Sequence, residues 1–106
     1  MTHKIRITKP AQDDMREIYN YIAKDLQNPK AAISRISAID KAVQSLNSMP
    51  SRYPFVQDDY LASKGYRMIT VKTHLIFFIV WDELEVVSVM RVLYARRDWL
   101  RILDSD

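Results

Sequence analysis

Residues 65–99 read GYRMITVKTHLIFFIVWDELEVVSVMRVLYARRDW, and this stretch leaves the chain few architectures to choose from. Val, Ile, Phe, Tyr and Thr dominate and no proline interrupts, so strands are favoured over a buried helix. Three are predicted, over Tyr66–Val71, His74–Trp81 and Val86–Tyr94. The joints are Lys72-Thr73 and residues 82–85, too short for a crossover, so the three neighbours must run antiparallel. The middle strand is apolar on both sides: Leu75, Phe77, Ile79 and Trp81 point one way, Ile76, Phe78 and Val80 the other. Both faces of the sheet therefore need cover. The meander ends in Tyr94-Ala95-Arg96-Arg97-Asp98-Trp99, an aromatic and cationic cluster at the sheet exit.

What precedes it supplies the cover. Lys4-Ile5-Arg6-Ile7-Thr8 alternates with a period of two, as a half-buried edge strand does. Pro10 suits a first helical turn, and Asp13 and Asp14 read as complements to the dipole there. Ala11, Met15, Ile18, Ile22 and Leu26 then form one apolar stripe. Asn28-Pro29 restarts the helix as cap and first residue, and Ala32, Ile36, Ile39, Val43 and Leu46 form a second stripe. Two stripes so closely joined make an antiparallel helical hairpin. Residues 49–64 are irregular and long for a plain connection, a segment to suspect of function or of being held by a partner. Trp99, Leu100 and Leu103 belong to a short C-terminal helical turn able to cover part of the second face. The expected fold class is α+β in the order β-α-α-β-β-β. It is an antiparallel four-stranded sheet with the hairpin packed on one face. One domain spans 1–106.

Composition narrows the functions. With 48% apolar and 27% charged residues the chain lies in the range of folded soluble proteins. The lack of cysteine excludes a thiolate metal site, two histidines argue against a histidine-rich one, and a single glycine excludes a glycine-rich phosphate cradle. No cofactor is expected. The N-terminus lacks the apolar core of a secretory signal, and the longest apolar run is too short for a bilayer, so the expected location is the cytoplasm and no membrane partner. The net charge of +3 is mild, but basic residues gather after Gly65. A solvated basic face is the default reading; a polyanion or an acidic protein partner is the alternative.

The candidate binding set is Arg67, Arg91, Arg96 and Arg97. Arg67 and Arg91 fall near the middle of strands, where a guanidinium is costly unless it meets an anion, a groove, or an internal carboxylate. RNA cleavage through its own 2′-hydroxyl needs a base, an acid and cations on the phosphate. His74, Tyr94 and Arg97 are the residue types present for it. Against that stand plainer roles: a surface histidine, a sheet-packing tyrosine, and Trp99 as an anchor for the tail.

Three pieces carry a resemblance across nearly the whole chain: ITKPAQDDMREIYNYIAKDLQNPKAA, GYRMITVKTHLIFFIV and VMRVLYARRDW. They resemble the RelE/ParE superfamily of toxins from bacterial type II toxin–antitoxin modules, whose sheet often closes on Arg-Val-(apolar or His)-x-x-Arg-Arg-Asp. The resemblance implies a growth-inhibiting toxin neutralised by a cognate antitoxin. RelE-like members cut mRNA on the ribosome and typically place an arginine where this chain has Leu75 and a second basic residue where it has Ile69. ParE-like members poison DNA gyrase, need no acid–base pair, and share the longer hairpin and the apolar second meander strand. The resemblance thus favours a gyrase-directed toxin. A ribosome-dependent endoribonuclease using Arg67, His74, Tyr94, Arg96 and Arg97 is the alternative. An inactive relic or basic nucleic-acid-binding module is a further one.

Overall fold

A computed structural model describes residues 2–105. Strand β1 (Lys4–Ile7) leads through Thr8 into helix α1 (Lys9–Asn20), which loosens into a π-helical turn, Tyr21–Asp25. Helix α2 (Pro29–Gln44) returns, and short 3-10 turns at Ser45–Asn47 and Pro50–Arg52 lead to helix α3 (Asp59–Ser63). The meander follows as β2 (Tyr66–Val71), β3 (His74–Trp81) and β4 (Val86–Tyr94), and helix α4 (Trp99–Ser105) closes the chain. Asn28 is the cap the sequence signals: its Oδ1 accepts from the Ala31 amide, with Pro29 as first helical residue. The cap of α1 is Thr8, read in the sequence only as strand, whose Oγ1 accepts from the Ala11 amide.

The sheet has four strands in the order β1-β4-β3-β2, and the meander is antiparallel throughout. One pairing corrects the expected all-antiparallel sheet: β1 lies parallel to β4, with Lys4 opposite Val86 and Ile7 opposite Val89. The reason lies in the one-residue joint at Thr8, which does not turn the chain back. Ile7 is level with Val89, whereas Asp14 reaches Arg91 and Val92, further along the same strand. Helix α1 therefore continues in the direction of β1. Four reversals remain before β4, an even number, and the two strands come out parallel.

Each sheet face has its own core. The helical hairpin contributes Ala11, Ile39, Val43 and Leu46 to the first, against Ile76, Phe78, Val87 and Val89. On the second face Leu75, Phe77 and Ile79 meet Val56 and Leu61 from the middle segment, and Leu103 from α4. The Trp99 ring lies 5.2 Å from that of Phe77. The apolar second face is thus covered by the chain's own short helices, while Leu100 stays exposed. At the register shift beside Phe77 the partner jumps from Arg91 to Val89, leaving Met90 as the extra residue of a bulge.

The π-helical turn changes the α1 stripe. Adding a residue to a turn rotates everything after it about the helix axis, so Leu26, the last of the predicted stripe, emerges 56% exposed. Residues 49–64 are tightly organised from within. Arg52 donates to the carbonyls of Ser48 and Met49 and to the Tyr53 hydroxyl, and the Tyr53 ring meets Phe78 edge-on at 6.1 Å.

Candidate functional site

The sheet exit and the π-helical turn face each other across a cleft of about 830 Å³. Residue 74 opens β3 and residue 94 ends β4, and antiparallel pairing sets them directly opposite each other. Their rings meet edge-to-face at 5.7 Å. The turn after Tyr94 is closed by the Arg97 amide donating to the Tyr94 carbonyl, which brings Arg97 to the rim of the same cleft. His74, Tyr94 and Arg97, grouped in the sequence by residue type alone, are therefore neighbours. Arg96 is exposed in that turn and does not line the cleft.

His74 is buried, and its environment is set by a residue the sequence reading overlooked. Arg35 of α2 donates from Nη1 to His74 Nδ1 at 2.9 Å and to Thr73 Oγ1 at 2.8 Å. An arginine only donates, so Nδ1 is the acceptor and the proton of the neutral ring sits on Nε2. Burial, and then the adjacent Arg35 charge, hold the imidazole below its ordinary pKa. At neutral pH His74 is uncharged.

The other two arginines lie elsewhere and are engaged within the fold. Arg67 on β2 donates from Nη1 to the carbonyls of Ser51 and Tyr53, and its guanidinium stacks 3.9 Å above the Phe55 ring. It clamps the middle segment to the sheet edge. Arg91 grips Asp14 side-on, Nε to Oδ2 at 2.7 Å and Nη2 to Oδ1 at 2.8 Å. Asp14 Oδ2 also accepts from the Val92 amide at 2.9 Å. The carboxylate thereby takes over where β1 has ended, giving the β4 edge the acceptor a neighbouring strand would supply. Asp14 is no dipole complement: it is 4% exposed and internal to the fold. Asp13 is the surface member of that pair, with Lys9 as its main partner and Arg16 adding to it, and its carboxyl is held below the usual range.

A signal for the missed Arg35, and for the true role of Asp14, exists in the helices. Asp14 falls between Ala11 and Ile18, and Arg35 between Ala32 and Ile39, at steps of three and four. Each is a charge set inside an apolar stripe, a position that demands an internal partner. Among the described residues no three His, Asp or Glu side chains gather as metal ligands. Among them also no helix is long and apolar enough to cross a membrane.

Residues 5–99 match the family model of the ParE toxin of the type II toxin–antitoxin system parDE. Among solved structures the chain is similar to the chromosomal ParDE system of P. aeruginosa, at 18% identity and a TM-score of 0.73, covering 90% of this chain and 98% of that one. It is also similar to the RelBE2 toxin–antitoxin complex of Mycobacterium tuberculosis (17%, TM-score 0.65, 89% and 99%). A mutant RelE toxin of E. coli in the free state is a third (13%, TM-score 0.67, 96% and 93%). At these identities the likeness is one of fold. No curated protein matches the chain.

Proposed function

The chain belongs to the ParE toxin family of type II toxin–antitoxin systems, and from that premise we propose that it acts in the cytoplasm by binding and inhibiting DNA gyrase, without covalent chemistry of its own. The observation that carries this reading is the internal engagement of Arg67 and Arg91. A phosphoryl-transfer site needs cations free to meet charge that develops on the phosphate, and two of the four candidate arginines are already committed to carbonyls and a carboxylate. Position 75, where ribosome-dependent relatives carry a further arginine, is a leucine buried in the second core. A binding inhibitor needs only a surface, and exposed Arg96, Arg97 and Arg101 form a basic one at the sheet exit. Its neutralising partner is a cognate antitoxin, as in the ParDE and RelBE assemblies whose fold it shares.

A second reading, ribosome-dependent mRNA cleavage, has one observation in its favour: His74, Tyr94 and Arg97 line a single cleft. Pulse incorporation of labelled thymidine and labelled amino acid, minutes after induction, separates the two. DNA synthesis failing first supports gyrase inhibition. Translation collapsing first, with Tyr94→Phe or Arg97→Ala abolishing the effect in a folded protein, overturns it in favour of the nuclease.

A further inference from the structure

The cleft at the sheet exit has two chemically different walls. Tyr21 and Ile22 from the π-helical turn and Leu26 just after it make the first, and Tyr21 is 56% exposed. Thr73, His74 and Tyr94 make the second, with Arg35 and Arg97 beside them. A volume of about 830 Å³ is that of a small-molecule site, and an apolar wall facing a few convergent polar groups is the usual composition of one.

Arg35 is the most informative group. Its Nη1 is spent on Thr73 and His74, while among the described residues nothing accepts from Nε or Nη2. Those two nitrogens form the side-on fork of a guanidinium, the same edge with which Arg91 grips the Asp14 carboxylate. A guanidinium held at one corner, with its fork open to a cleft, is an anion receptor whose ordering cost has been met in folding. Arg97 brings a second cation to the rim. Glu17 of α1 also lines the cleft, and among the described residues its carboxylate has no hydrogen-bond partner. That carboxylate is exposed and keeps its water, but it repels a bare anion and favours a ligand that also presents N–H or O–H donors. The complementary ligand has an anionic end for Arg35 and Arg97, a flat ring for the Tyr21 and Tyr94 faces, and N–H or O–H donors for Glu17.

We propose that this cleft binds a nucleoside monophosphate, with the phosphate on the open fork of Arg35 and the base against Tyr21. A free nucleotide and the 5′-phosphorylated end of a strand offer the same chemistry. Arg97 lines this cleft and also belongs to the basic surface proposed for gyrase, but the test uses no gyrase, so the target reading and this one fail separately.

The experiment is calorimetric titration of the purified full-length chain with GMP and AMP, and with guanosine, inorganic phosphate and a 5′-phosphorylated RNA tetramer. Saturable mononucleotide binding is expected, weakened about tenfold in Arg35→Gln, as loss of a charge-assisted pair implies. Tyr21→Ala weakens it too, in an exposed position whose truncation leaves the fold intact. Guanosine and phosphate alone bind more weakly than GMP. Tetramer binding with the same sensitivity to Arg35→Gln assigns the strand end as a ligand, and mononucleotide binding without it assigns the free nucleotide; each supports the site. No saturable binding of either mononucleotide, phosphate binding as tight as GMP, or affinity untouched by both substitutions overturns it.

Discussion

Asp14 and Arg91 form an ion pair in which both charges are largely withdrawn from water and each depends on the other. Breaking such a pair from one side leaves an uncompensated charge behind. Asp14→Ala is therefore expected to lower stability by about 3 kcal/mol, read as a drop in the urea midpoint. Asp13→Ala, one position away at the surface, should leave the midpoint unchanged. Equal effects would mean that Asp14 acts only on the helix dipole. His74 gives a second expectation at this scale. Its unfolded imidazole takes up a proton near the ordinary value of 6.5, while the folded one, desolvated and beside Arg35, resists it. The unfolded state then binds more protons as the solution is acidified, so the contribution of this group is fully present above that value and is lost toward the depressed folded pKa. Thermal melts of the parent between about pH 7 and about pH 5 should fall more steeply than those of His74→Gln. Parallel curves would remove the proton from the account. Of the cleft, His74, Tyr94 and Arg97 were legible as residue types in the meander. Arg35 was not, because its partner is 39 positions away and only tertiary packing brings α2 to the start of β3.

At the scale of elements, the strands and both long helices follow from periodicity and caps, since these depend on neighbours three or four residues apart. What escaped was the phase of α1 after residue 20. No local signal marks a π-helical turn, so periodicity places Leu26 in a stripe from which the extra residue rotates it outward. Residues 49–64 escaped for another reason: Val56 and Leu61 reach the second core at no regular spacing, and the rest of their order comes from arginine donors to carbonyls, which leave no hydrophobic period to read. Arg67→Ala should free this segment. Loss of its two carbonyl contacts and of the stacking on Phe55 is expected to cost about 1–2 kcal/mol. Hydrogen exchange at the Val56 and Met68 amides, which pair with Tyr66 and Pro54, should accelerate beyond the global change. Exchange rising uniformly over the chain would mean that Arg67 supports the fold at large and not this segment.

For the molecule as a whole, the parallel partnership of β1 and β4 was not legible, because it turns on whether one residue, Thr8, reverses the chain. The partnership also has a consequence in time. Lys4 finds its place opposite Val86, and the Lys4 amide donates to the Glu85 carbonyl, so the start of the chain is completed by nearly its end. Contacts of such long separation form late and slowly. A ribosome making this protein releases most of it before the first strand has anything to pair with. Nascent chains arrested before residue 86 should be cut readily by protease near Lys4–Ile7, and full-length chains should resist; protection of the arrested chain would refute this. A toxin wired in this way is incompletely folded until synthesis is all but finished, which leaves an interval for its antitoxin to be waiting.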